Sequence, residues 1–168
     1  MTRIGVTGHS NLTRPSVPLV TDALREAVEE MRAELAGRAG GVDLTGVTCL
    51  APGADQLFAR VVLELGGRVE VVLPAKDYRA SLDPARRAEF DELVAAAAEV
   101  RVLPFARSGR PAYQAAGDEV VSSVQGVVAV WDGQPGGRPG STAGVVARAR
   151  ERGVPVRVVW PSGARRDG

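Results

Sequence analysis

Six short apolar runs rich in β-branched residues, at positions 3–7, 47–51, 69–73, 101–103, 127–131 and 156–160, punctuate this chain of 168 residues. Between them lie segments whose apolar residues recur at three and four, the spacing of one helical face. The runs are continuously apolar rather than alternating, which is the pattern of strands covered by helices on both sides of a parallel sheet. This order predicts an α/β fold: a Rossmann-like three-layer sandwich with a mainly parallel sheet of about six strands. Right-handed crossovers then bring the strand-to-helix loops to one edge of the sheet, where ligands of such folds bind at the point of reversed winding. Which strands flank that point is left open by the pattern.

The first and longest helix carries Val17, Val20, Leu24, Ala27, Val28, Met31 and Leu35 on one face, with Ser16 as its expected N-cap and Pro18 in its first turn. The second opens at Gly53, Ala54 and Asp55 and buries Leu57, Phe58, Val61 and Leu65. A third begins at Asp83-Pro84 and presents Phe90, Leu93, Val94 and Ala97, and a fourth spans 111–123. The fifth, capped by Ser141 or Thr142, turns Val145, Val146 and Ala149 inward and Arg148, Arg150 and Arg152 outward, and Gly153 and Pro155 end it. The length suits one domain, expected over 1–161, with 162–168 read as a disordered tail.

Composition narrows the function. The 21 basic and 20 acidic residues leave a formal charge of +1, which provides no broad field for nucleic acid or a charged membrane and disfavours both as partners. Cys49 is the one cysteine, so no intrachain disulfide forms, and its apolar surroundings read as a small buried residue in a reducing compartment. No run approaches the roughly 18–20 apolar residues of a membrane span, and residues 1–7 lack the order of a signal peptide; a cytoplasmic protein is expected. With one histidine, no Cys/His cluster and no nucleophile elbow, metal and triad chemistry are not indicated, and no cofactor is expected.

Two loops carry the functional reading. Loop one, GVTGHSNLTR at 5–14, lacks the G-x-G-x-x-G dinucleotide fingerprint, yet Thr7, Ser10 and Asn11 offer hydroxyl and amide donors, Gly8 a bare backbone, and His9 and Arg14 charge for a phosphate or hydrogen bonds to a sugar; the plainer alternative is that Gly8 makes a turn and His9 sits on the surface. Loop five runs from Asp132 and Gly133 through Gly136, Gly137 and Gly140 to Ser141 and Thr142, where a helix starts. A helix opening after such a loop has unpartnered N–H groups and a partial positive charge, so phosphate is its natural guest. The P-loop lysine is missing, so nothing marks it for ATP hydrolysis. Asp132 can accept from ribose hydroxyls or be a solvated turn carboxylate. In a third turn, 51–55, Gly53 precedes Asp55, which is either a helix-start carboxylate or a catalyst. Lys76 and Arg79 follow the third strand, as phosphate-screening cations or as solvated side chains.

In order, GVTGHSNL, LAPGADQLFA, VVLPAKDY, VVAVWDGQPGGRPGSTAGVV and GVPVRVV resemble the SLOG superfamily, which joins the DNA-processing Smf proteins, the LOG phosphoribohydrolases and many nucleotide-sensor domains. The likeness covers about 3–160. It implies a Rossmannoid domain that binds a nucleotide or nucleotide-derived ligand, an adenine nucleotide favoured, at the loops singled out above, and a tendency to form homo-oligomers. The enzymatic branch carries an acidic residue soon after the Gly-Thr of a PGGxGT motif. Here Ser141 interrupts that step, and Gly144 and Val145 stand where an acid would serve. The departure favours binding or sensing over the alternative, a nucleoside 5′-monophosphate phosphoribohydrolase releasing free base, in which Asp132 or Asp55 would have to substitute as the catalytic carboxylate. A DNA-processing or ligand-free interaction module ranks third.

Overall fold

The computed structural model of the chain describes residues 1–37, 43–136 and 141–167. Its strands form one sheet of six in which every pairing is parallel, in the order β4-β3-β2-β1-β5-β6. These are β1 (Thr2–Gly8), β2 (Leu44–Thr48), β3 (Arg68–Leu73), β4 (Glu99–Val102), β5 (Gly126–Val130) and β6 (Val156–Val159). From β1 the chain winds outward through β2 and β3 to β4, then returns to the other side of β1 and winds outward again through β5 and β6. The winding therefore reverses between β1 and β5, whose register runs from Ile4 opposite Gly126 to Gly8 opposite Val130.

The helices are α1 (Ser16–Ala36), α2 (Ala54–Glu64), α3 (Tyr78–Ser81), α4 (Arg87–Ala96), α5 (Arg110–Ser122) and α6 (Thr142–Glu151). One face of the sheet meets α1, α2 and α4 in the main core, where Ile4, Leu24, Val28, Phe58, Val61 and Val62 are all fully buried. On the other face, Val120 and Ala116 of α5 pack on Val47 and Val72, while Val145 and Ala149 of α6 pack with Val121 on Val127. Three layers result, as the apolar periodicity predicts. Val17 is the exception on α1, at 36% exposure, because the buried face runs through Ser16 and Val20 and leaves position 17 to one side.

Several boundaries differ from the sequence reading, each for a local reason. β2 begins at Leu44 rather than Val47 and ends at Thr48, because Leu50 takes a φ of +54°, a left-handed conformation that costs a non-glycine residue about 1–2 kcal/mol and cannot continue a strand. Gly46 is tolerated inside β2 because a Cβ there would lie 2.7 Å from Val62, so its absence lets α2 sit close. Strand β4 is exposed at every residue, as an edge strand with charged Glu99 and Arg101 can be. Asp83 caps a 3-10 turn (Pro84–Arg86) through the Ala85 N–H at 3.1 Å before α4 begins, and the short α3 has too few residues for a periodic signal.

Ser16 is the first residue of α1, not its N-cap; Pro15 holds that position. The Ser16 hydroxyl is drawn instead to the end of the chain, accepting the Arg165 N–H at 2.7 Å. The terminal segment expected to fray is thus tied down through residue 167, with an antiparallel bridge between Leu12 and Arg166. No helix among the described residues is long and apolar enough to cross a membrane.

Phe58 is fully buried between α2 and β2, in contact distance of the space left by Gly46. Its replacement by alanine is expected to destabilise the protein by about 3–5 kcal/mol, read as a lower midpoint in urea denaturation at unchanged slope.

A candidate ligand cleft at the switch point

Neighbouring β1 and β5 end side by side, and their following loops open on one cleft of about 700 Å³ at the carboxyl edge of the sheet. It runs from Pro74, Tyr78, Ser81 and Leu82 after β3, past Cys49, Ala51 and Asp55 after β2, to Trp131, Gln134, Ser141 and Thr142 after β5. Helix α5 closes one wall with Tyr113, Ala116, Gly117 and Val120. Loop one contributes Thr7, Gly8, His9, Ser10 and Asn11.

Loop one is anchored on both sides. The His9 N–H donates to the Val130 carbonyl at 3.1 Å, and the His9 carbonyl accepts from Ala54 at the start of α2 at 3.2 Å. Gly8 lies between these neighbours so tightly that a Cβ would stand 2.5 Å from Ala54 Cβ and 2.8 Å from Val130 Cβ. Gly53 has a φ of +85° and turns the chain where a Cβ would meet the His9 carbonyl at 2.7 Å. Both glycines thus permit close backbone packing beneath the loop; Gly53 itself is not on the cleft wall.

At the far end, Ser141 caps α6 by accepting the Gly144 N–H at 3.1 Å, and Thr142 follows as the first helical residue. Both line the cleft together with Ala143, so the remaining N–H groups of this turn and the partial positive charge of the helix start stand at its edge. Gly136 packs against Ser141, where a Cβ would come within 2.8 Å of the hydroxyl oxygen. Gly133 turns with φ +82°. Gly137 and Gly140 lie outside the described residues.

Asp132 is the residue whose environment differs most from the sequence reading. Its Oδ1 accepts the Gln134 N–H at 3.0 Å and its Oδ2 accepts Arg166 Nε at 2.7 Å, so both oxygens are engaged and the side chain is not part of the cleft wall. Burial opposes its charge, yet these two hydrogen bonds and the Arg166 guanidinium hold its carboxyl below the usual carboxylate range. His9 turns toward the same group. Its Nε2 accepts the Asp132 N–H at 3.2 Å, and its ring stands edge-on to Trp160 at 5.6 Å between centroids. Burial, helped by Arg166, lowers the His9 pKa, so at neutral pH it is a neutral acceptor and its 3.3 Å approach to Asp132 Oδ1 is not an ion pair. The charge expected of His9 toward a phosphate is therefore absent at that pH.

Arg14 is exposed on the turn before α1 and Lys76 is exposed after β3, both off the cleft wall. Arg79 is also off it, bound to Asp91 by two 2.7 Å hydrogen bonds. Sequence reasoning missed Tyr78, Tyr113, Trp131 and Arg166 on the wall. Tyr78 and Arg166 sit in elements with no periodic signal, whereas Trp131 ends a strand that the apolar pattern marks, and its place at the carboxyl edge was the available clue.

Asp55 lies on the cleft floor at 7% exposure, beside the partly buried Cys49 thiol and the buried Tyr78 phenol, both of whose pKa values desolvation pushes upward. Burial raises its own carboxyl to about 7, against hydrogen bonds from Ala51, Cys49 and Thr48. The Ala51 contact, at 3.3 Å, and a 3.1 Å bond from Gln56 to the Leu50 carbonyl hold the left-handed turn in place. Asp55 is thus a clamp on the β2–α2 loop.

No family model and no curated protein matches this chain. Solved structures share its fold. DNA processing protein A from Streptococcus pneumoniae matches 97% of this chain and 52% of its own at 17% identity, with a TM-score of 0.64. DNA processing protein A from Helicobacter pylori, described for its unique single-stranded DNA binding mode, matches 99% of this chain and 68% of its own at 14% identity and a TM-score of 0.62. The structural-genomics target TM1055 matches 93% and 72% at 18% identity and a TM-score of 0.56. This chain spans about half the length of the first of these. At these identities the likeness is one of fold.

The raised Asp55 pKa has a signed consequence for stability. Between about 4 and 7 the folded protein holds a proton on Asp55 that the unfolded chain has released, so stability falls as pH rises through that window. Asp55→Asn keeps an oxygen for the Ala51 N–H and removes the titration. In urea denaturation the wild type is expected to lose up to roughly 1.4 kcal/mol of stability for each step of one in pH across that window, relative to Asp55→Asn. Parallel pH curves for the two proteins would show that Asp55 titrates normally.

Proposed function

We propose that this domain binds a nucleotide or nucleotide-derived ligand, an adenine nucleotide in the first instance, and senses or carries it without cleaving it. The observation that carries this reading is the adjacency of β1 and β5, which opens loop one and the Ser141-capped start of α6 onto one cleft. Hydroxyls of Ser10, Ser141 and Thr142 with the amides at the start of α6 suit a phosphate. Toward β3 the wall turns apolar and aromatic, with Tyr78, Leu82, Tyr113 and Val120, and suits a base. From β3 to β5 the cleft crosses three strand spacings of about 4.8 Å, room for a phosphate and a base at once.

Binding is favoured over hydrolysis because neither candidate carboxylate is disposed for catalysis. Asp132 is committed to Arg166 and Gln134 away from the wall, and Asp55 is engaged within its own loop by the Ala51 N–H at 3.3 Å. The DNA-binding neighbour from Helicobacter pylori weakens the exclusion of nucleic acid drawn from net charge, so an oligonucleotide belongs among the ligands tested.

The test is thermal melting with AMP, ADP, ATP, adenosine and a single-stranded oligonucleotide, each followed by chromatography for free base. A nucleotide at a hundred times its dissociation constant is expected to add about 2.7 kcal/mol to stability with no base released. Release of free base would favour the phosphoribohydrolase, a shift with the oligonucleotide alone would favour a DNA-processing role, and an unmoved melting temperature throughout would sink the nucleotide reading.

A further inference from the structure

The end of the chain reaches into the cleft. After β6, residues 161–167 cross back beside loop one: the Thr13 N–H donates to the Arg165 carbonyl at 3.0 Å, the Asp167 N–H donates to the Asn11 carbonyl at 2.8 Å, and Leu12 bridges Arg166. Ser16, at 0% exposure, holds the Arg165 N–H from below. This strap carries the Arg166 side chain to the cleft wall.

Among the described residues Arg166 is the one lysine or arginine on that wall. His9 is neutral, Arg79 is spent on Asp91, and Arg14 and Lys76 lie elsewhere. Arg166 meets Asp132 through Nε alone, and its Nη groups make no hydrogen bond among the described residues. A guanidinium has five N–H donors, and one held by Nε presents the rest as a rigid fork suited to phosphate oxygens. Asp132 orients the fork but cannot satisfy it.

We propose that the carboxyl-terminal strap is part of the ligand site, with Arg166 supplying the guanidinium that engages a phosphate group and Asp132 acting as its positioning residue. This rests on the nucleotide reading above and assigns a cation to the site, where loop five lacks the P-loop lysine.

Isothermal titration of the full chain with AMP, adenosine and inorganic pyrophosphate tests it, using wild type, Arg166→Gln and Arg166→Lys. Arg166→Gln is expected to weaken AMP binding at least about tenfold while adenosine binding stays unchanged, as loss of a charged hydrogen bond to phosphate requires. Arg166→Lys, which keeps the charge but not the fork, is expected to fall between the two. If Arg166→Gln does not fold, a several-fold loss of AMP affinity in Arg166→Lys carries the proposal, and an unchanged affinity overturns it. Equal AMP binding by wild type and Arg166→Gln overturns the Arg166 assignment and leaves the nucleotide reading standing. Equal losses for AMP and adenosine overturn it too, reducing Arg166 to a structural clasp. If wild type binds neither AMP nor adenosine, the nucleotide reading falls on its own. Pyrophosphate binding that depends on Arg166 then sustains the anion site, and absence of pyrophosphate binding removes it.

Discussion

The side-by-side pairing of β1 and β5 is the constraint on which the rest of the molecule depends. It places the reversal of winding between the four strands β4 to β1 and the two strands β5 and β6, and it sets Gly8 directly opposite Val130 with α2 above. Parallel strands paired so closely cannot separate at their carboxyl ends without losing ladder bonds, so the two loops that follow must share one opening. A side chain at position 8 would have to displace both Ala54 and Val130, which moves α2 and β5 together. The cleft is therefore a property of the packing and not of the loops alone, and the loops vary within limits that the strands and α2 set.

Charge within this opening is sparse and each group is restrained. Burial and the Arg166 guanidinium lower the His9 pKa, and its Nε2 accepts the Asp132 N–H. The Asp55 carboxyl is pushed up by burial at the cleft floor, and the Asp132 carboxyl is held ionised by an arginine from the far end of the chain. Among the described residues, the fixed dipole at the start of α6 and the Arg166 guanidinium, itself paired with Asp132, are the positive features of the wall.

Much of this architecture was legible in the sequence. Continuous apolar runs separated by helical periodicity specify a parallel α/β sheet, and Val20, Leu24, Val28 and Met31 on one face of α1 are all core residues. The Ser141 cap followed from a hydroxyl residue just before an apolar-periodic segment. What escaped had no local signature. Strand order depends on long-range pairing, the end of β2 on a left-handed leucine that propensity does not anticipate, and the short α3 on tertiary contacts around Tyr78. The engagement of Asp132 by Arg166 and the diversion of Ser16 from cap to strap anchor both arise from a terminal segment whose composition looks like a free end.

That terminal segment links the cleft to completion of the fold. Asn11 and Asp167 lie 156 residues apart along the chain, and they meet only after β1, β5 and β6 have taken their places in the sheet. Contacts of such separation close last in a topology of this kind, since their loop entropy must be offset by structure already formed. The strap is held by a handful of backbone hydrogen bonds worth about 1 kcal/mol each, by the Ser16 hydroxyl and by the Arg166–Asp132 pair, far fewer contacts than secure the core helices. Opening it would carry Arg166 away from the wall, release Asp132 from its partner and remove the charge that lowers the His9 pKa, changing three groups in one step. Under the proposed reading a bound phosphate would oppose that opening, because its affinity for the closed strap is added to the strap's own hydrogen bonds.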